Sequence, residues 1–194
     1  MSSEPRLPTL LIIDVQQGFD APEWGARNNP GAEAAIARLL AAWRAAGAPV
    51  AHVRHDSTEP GSPLRPGQPG NRPKAAVAPA AGELVVAKTV NSAFIGTGLE
   101  DELRRREVQD LVIVGLTTNH CVSTTARMAG NLGFRTFVVS DATATFARPH
   151  LDGRMRPAAD VHAAALSDLS GEFATIIDSR GAEDLLSRPS APSP

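Results

Sequence analysis

The sequence predicts an α/β protein, a parallel sheet of six strands with helices on both faces. Two observations predict it. Short continuous apolar runs, such as TLLIIDV at 9–15 and DLVIVG at 110–115, suit strands buried on both faces. Segments of helical periodicity alternate with these runs, the pattern of parallel strands joined by crossover helices.

The first strand, 9–15, ends in a carboxylate and leads into a Gly/Pro-punctuated loop, QQGFDAPEWGARNNPG. The helix after it follows from Ile36, Leu39, Leu40 and Trp43, spaced i, i+3, i+4, i+7, with Pro30 suited to a first turn and Gly47 to a stop. PVAHVRH (49–55) is the second strand. Residues 56–82 contain ten Pro or Gly among 27 residues and show no period, so an ordered loop at a pocket rim or subunit contact is expected. ELVVAK (83–88) is strand three, and 97–107 is a short helix with Thr97 and Glu100 at capping-box spacing. Strand four, 110–115, is followed by the GLTTNHC segment and a helix to about Asn131. FRTFVVSDA (134–142) is strand five, 157–171 a helix, and EFATIIDS (172–179) strand six. Residues 187–194, SRPSAPSP, read as a flexible tail.

With 194 residues, the chain is expected to form a single domain, 1–194. A net charge of −2, six Phe, two Trp and no Tyr argue against nucleic-acid partners. The sequence begins without a leader pattern, lacks an apolar run of membrane-spanning length and carries one cysteine, so a reduced, cytoplasmic setting without membrane contact is expected. Neither a GxxxxGK[ST] loop nor a GxGxxG fingerprint is present, which disfavours nucleotide-driven chemistry.

Ligands of open parallel sheets bind beyond the carboxyl ends of strands. Three reactive side chains fall there: Asp14 after strand one, Lys88 at the end of strand three, and Cys121 just past strand four. A thiol at a helix start faces unpaired N–H groups, which favour thiolate; Lys88 would add to that, and Asp14 would serve as base. N–H groups of the turn 116–119 and of Cys121 are candidates for an oxyanion hole.

IIDVQQGF around Asp14, AKTVNSAF around Lys88 and GLTTNHCVSTTARMAGNLGF around Cys121 together resemble the isochorismatase-like cysteine hydrolase superfamily, over most of the chain from Thr9 to about Asp178. The resemblance implies a three-layer, doubly wound, Rossmann-like sheet and a catalytic triad of Asp14, Lys88 and Cys121. It further implies a non-proline cis peptide at Leu116–Thr117 and an oxyanion hole from the N–H groups of Thr117 and Cys121. The implied activity is hydrolysis of a non-peptide C–N bond (amide, ureido or carbamoyl) in a small molecule through a thioester. A homo-oligomer, dimer or tetramer, is also implied.

The nicotinamidases of this group carry a metal site beyond strand two. Here His52, His55 and Asp56 stand nearby, but residues three apart on a strand face opposite ways, so neither metal nor cofactor is expected. Isochorismatases proper cleave a vinyl ether and need an acid rather than a thiol, so Cys121 favours C–N hydrolysis. Substrate-binding candidates are Phe19, Trp24, Asn91 and Phe94, close after the Asp14 and Lys88 motifs. His120 is expected at the surface or behind the site, His162 as a packing or hydrogen-bonding residue, and the arginines 104–106 as a solvated helix end. A binding protein without turnover and a redox-responsive thiol protein are the competing classes. The intact triad disfavours the first, and the lack of a resolving cysteine the second.

Overall fold

The computed structural model describes residues 6–187; apart from Ser187, the expected tail lies outside the described residues. In chain order the elements are β1 (Thr9–Ile13), α1 (Ala32–Ala45), β2 (Val50–His55), β3 (Leu84–Lys88), α2 (Leu99–Arg105) and β4 (Asp110–Leu116). There follow α3 (Ser123–Asn131), β5 (Arg135–Ala144), a two-residue-per-strand hairpin of β6 (Arg148–Pro149) and β7 (Met155–Arg156), α4 (Ala158–Leu169), β8 (Thr175–Ile177) and α5 (Ser179–Leu185). The main sheet has six strands in the order β3-β2-β1-β4-β5-β8, all parallel. Between β1 and β4 the winding reverses, and such a switch point opens a crevice beyond the strand ends.

Every residue of β1 and β4 is buried, the consequence of apolar cover on both faces. One core packs Leu11, Ile13, Val53 and Ile113 against Leu103 of α2, Ala126 of α3 and Leu166 of α4. On the other face, Leu10, Ile12, Val112 and Val114 meet α1 and Ala182 of α5. The periodic residues Ile36, Leu39, Leu40 and Trp43 all face this second core, and the buried Trp43 indole donates to the Pro8 carbonyl at 2.7 Å. Gly47 ends α1 with φ +65°, as its place in the sequence requires.

Two local expectations are corrected, and one hairpin is added. The Thr97–Glu100 capping box does not form, because the Thr97 hydroxyl donates back to the Ala93 carbonyl at 2.5 Å while α2 starts after Gly98. The last sheet strand is limited to 175–177, and a further helix, α5, is capped by the Asp178 carboxylate on Gly181 N. The β6–β7 hairpin lies in a stretch with no period to announce it.

The 56–82 segment is ordered by polar clamps. Asn71 is buried, and its amide donates to the carbonyls of His55 and Leu64 and to the Asp56 carboxylate. Lys74 bridges Asp20 at 2.5 Å and Glu33 at 2.7 Å, tying this segment to the first loop and to α1.

Gly115 sits at the switch point, with φ +122°, where β4 shifts register against β5. A Cβ there would lie 2.0 Å from the Ile13 carbonyl oxygen of β1, so only glycine allows the two central strands to meet. Gly115→Ala is expected to destabilise the fold by about 3 kcal/mol or more, read as a shift of the urea midpoint. An unchanged midpoint would contradict the packing described.

Candidate active site

β1 delivers Asp14 with φ +50°, a left-handed turn that aspartate tolerates better than most residues. Its carboxylate and the Lys88 ammonium are both fully buried and 2.6 Å apart. β2 lies between their strands, and its last residue, His55, accepts from Lys88 Nζ through Nδ1 at 3.0 Å. An ammonium can only donate, so the Nδ1 lone pair faces it and the ring proton is assigned to Nε2. Gln16 fixes the His55 backbone from both sides, accepting its N–H at 2.8 Å and donating to its carbonyl at 3.0 Å.

Cys121 reaches this group from β4. The Leu116–Thr117 peptide is cis, and Thr118–Val122 forms a single π-turn closed by Val122 N–H donating to Thr117 O. Hydrogen bonds on two sides hold the turn: Thr118 Oγ1 with His162 Nδ1 of α4 at 2.8 Å, and Asn119 Oδ1 with the Thr145 hydroxyl past β5. One atom each of Asp14, His55 and Cys121 (a carboxylate oxygen, a ring nitrogen and the sulfur) lie within 4.8 Å of one another. Asp14 Oδ1 is buried without a hydrogen-bond partner, and the thiol lies 3.9 Å from Asn91 Oδ1.

These groups line an inner chamber of about 130 Å³. Phe19, Trp24, Asn91 and Thr117 line it too, and the rings of Phe19, Trp24 and Phe146 form a cluster with centroids 5.4–6.3 Å apart. Phe94 is a correction: the chain turns at Ser92–Ala93, and the ring stacks on Phe134 in the core, 6.0 Å between centroids. His120 is the opposite case. Expected away from the chemistry, it is half-buried in the chamber wall beside Cys121, because the π-turn displaces it from ordinary helical phase. Arg148 and Leu64 also line the chamber, and no sequence motif had singled them out.

Burial pushes the Asp14 carboxyl above its usual range, against the pull of Lys88. His55 is lowered to about 4 by burial and by the Lys88 charge, so its ring is neutral near pH 7. Burial, and then the Asp14 charge, push the Cys121 thiol up to about 12, with Lys88 opposing. The helix-start and Lys88 effects expected to favour thiolate are outweighed: the sulfur sits inside a buried π-turn, not at an open helix start, and Asp14 offsets the lysine.

His52, His55 and Asp56 do not converge on one point. His52 points to the opposite sheet face and pairs with Glu83 at 2.8 Å, while Asp56 is engaged by Arg54 and Asn71. A cation at the Asp14–His55–Cys121 cluster would meet the Lys88 ammonium, already on both Asp14 and His55. The arginines at the end of α2 pair with Glu100 and Glu102 within their own helix. Among the described residues, no helix is long and apolar enough to cross a membrane.

A three-layer, doubly wound sheet with a cysteine, a carboxylate and an amine at its switch point defines a cysteine hydrolase of the isochorismatase type. The Isochorismatase domain family matches residues 8–181, and the chain belongs to that family. It is 47% identical over 168 residues to the uncharacterized isochorismatase family protein YrdC of Bacillus subtilis, covering 87% of this chain and 90% of that one. Maleamate amidohydrolase of Pseudomonas putida is 32% identical, covering 89% of this chain and 83% of that one. A crystal structure of an isochorismatase-family protein from Chromobacterium violaceum superimposes with a TM-score of 0.90 at 48% identity, covering 96% and 99% of the two chains.

A thiol held near 12 should react with iodoacetamide at a rate that climbs about tenfold per pH unit from pH 7 to pH 10, without levelling. A plateau between pH 6 and pH 8 would mean a resting thiolate and would contradict the electrostatics above.

Proposed function

We propose that the protein hydrolyses a non-peptide C–N bond (amide, ureido or carbamoyl) in a small molecule, with Asp14, Lys88 and Cys121 as the catalytic residues. The supporting observation is that side chains from three strand ends converge: Asp14 and Cys121 line one small chamber, and Lys88 bonds to Asp14 from behind its wall. The amidohydrolase activity named for the Pseudomonas putida relative supports the same bond class.

In this mechanism the Asp14 carboxylate takes the Cys121 proton as sulfur attacks the carbonyl carbon. The N–H groups of Thr117 and Cys121 receive the oxyanion. The C–N bond then breaks, the proton on Asp14 passes to the leaving nitrogen, and a thioester remains on Cys121. Water, deprotonated by Asp14, attacks the thioester; the proton returns to sulfur and the acid product leaves. Lys88 stays protonated and holds Asp14 in place. His55 is assigned to orienting Lys88, since its Nδ1 lone pair is engaged there. Phe19, Trp24 and Asn91 contribute substrate contacts from the chamber wall. We extend the reading to a cytoplasmic homo-oligomer, dimer or tetramer; exposed Val85, Val90 and Ile95, on and just after the edge strand β3, are suited to a subunit contact.

The test is ammonia release from a panel of amides, ureides and carbamoyl compounds. Cys121→Ala and Cys121→Ser are expected to lose activity by about 10³-fold or more with the fold intact, and Lys88→Ala to lower kcat more than it raises KM. His55→Ala should cost about tenfold. A loss as large as that of Cys121→Ala would make His55 the base, and an active Cys121→Ala protein would favour vinyl-ether cleavage by Asp14.

A further inference from the structure

The β6–β7 hairpin places Arg148 directly opposite Arg156. Residues opposed in an antiparallel pair share a face, and like charges there repel. Arginine pairs of this kind are normally relieved by carboxylates, but the acid of the hairpin itself is engaged elsewhere. Asp152 at the hairpin tip pairs with Arg154 and His150. Among the described residues, neither Arg148 nor Arg156 forms an ion pair, and the Nε of each is buried without a hydrogen-bond partner. A buried Nε on each of two opposed arginines is costly unless an acceptor is supplied from elsewhere.

Their location says where that charge would come from. Arg148 is half-buried and lines the inner chamber together with Asp14, His55 and Cys121. The same residue lines an outer chamber of about 680 Å³, which shares Trp24, His55 and Leu64 with the inner one. Arg148 thus stands at the junction of the two. Burial, and then the Arg148 charge, lower His120 below its usual range.

We infer that Arg148, supported by Arg156, is the specificity-determining anion site of this enzyme, and that its substrate carries a carboxylate beside the bond to be cleaved. This deepens the proposed function and rests on its reading of the chamber as the substrate site. A planar carboxylate can take two parallel N–H bonds from one guanidinium, which fixes orientation as well as position. A dianionic phosphate is disfavoured by Glu23 and Glu59, exposed on the walls of the outer chamber. The hairpin would then orient the scissile carbonyl toward Cys121 by holding the far end of the molecule.

Binding can be read without turnover. The probe is succinate, with butane-1,4-diol as the uncharged molecule of the same carbon chain. The readouts are calorimetry on the full chain and protection of Cys121 from iodoacetamide. Native protein should bind succinate about tenfold or more tightly than the diol, and protection should follow binding. Arg148→Gln should lose about tenfold or more in succinate affinity, Arg148→Lys should retain part of it, and Arg156→Gln should lose less. Thermal melting reports on folding. If Arg148→Gln does not fold, the decision passes to Arg148→Lys and to salt, which should weaken succinate binding and leave the diol unchanged. Equal binding of succinate and the diol, or a folded Arg148→Gln protein that binds succinate as the native protein does, would overturn the inference. Succinate binding through Arg148 in a protein that cleaves no C–N compound would support this site and sink the proposed activity. Robust C–N cleavage with no preference for carboxylates would do the reverse.

Discussion

Two full charges, Asp14 and Lys88, are sealed from solvent at 2.6 Å from each other, and the rest of the site is arranged around that contact. Either charge alone in this place would be heavily penalised; together they are tolerable only while the distance is kept. Keeping it requires three parallel strands in register. Lys88 ends the edge strand β3 opposite His55 of β2, and β2 in turn pairs with β1, whose chain turns left-handed at Asp14. Close approach of β4 to β1 at Gly115 then brings the cysteine turn to the same point. Backbone geometry and buried charge thus constrain one another: a slip in either strand pairing would strand an ion in the core.

The same pair explains the state of the sulfur. Asp14 and Lys88 cancel each other beside the neutral His55 imidazole and the thiol. Loss of the thiol proton to solvent would bury a thiolate beside the Asp14 carboxylate, and burial, then that neighbouring charge, push the thiol up. Transfer of that proton to Asp14 leaves the total unchanged. In the proposed mechanism the nucleophile is therefore formed at the moment of attack, and the raised Asp14 carboxyl is suited to hold the proton until the leaving nitrogen takes it.

Much of this was legible before any coordinates. Strands buried on both faces must be apolar throughout, so β1 and β4 stand out in the sequence, and α1 declares its buried stripe by spacing. The ends of those runs also locate Asp14, Lys88 and Cys121. What the sequence could not carry was direction after a turn. Phe94 and Asn91 follow Lys88 by six and three positions, yet Asn91 lines the chamber and Phe94 packs into the core. His120 reaches the chamber wall from a π-turn, a local geometry that the sequence around it does not announce. The protonation of Cys121 depends on burial and on the distance to Asp14, both of which are products of strand order. Arg148 enters the chamber from a hairpin with no periodic signature, so nothing in the sequence associated it with the site.

A double-mutant cycle on the buried pair tests the account most directly. Asp14→Asn, Lys88→Met and the double variant would be compared by denaturant unfolding. Each single change should cost about 3–5 kcal/mol by leaving one charge buried without its partner, and the double change should cost clearly less than the sum of the two. Additive single costs, with the double variant losing the full sum, would mean that the two charges are not coupled and that the site is held together by something else.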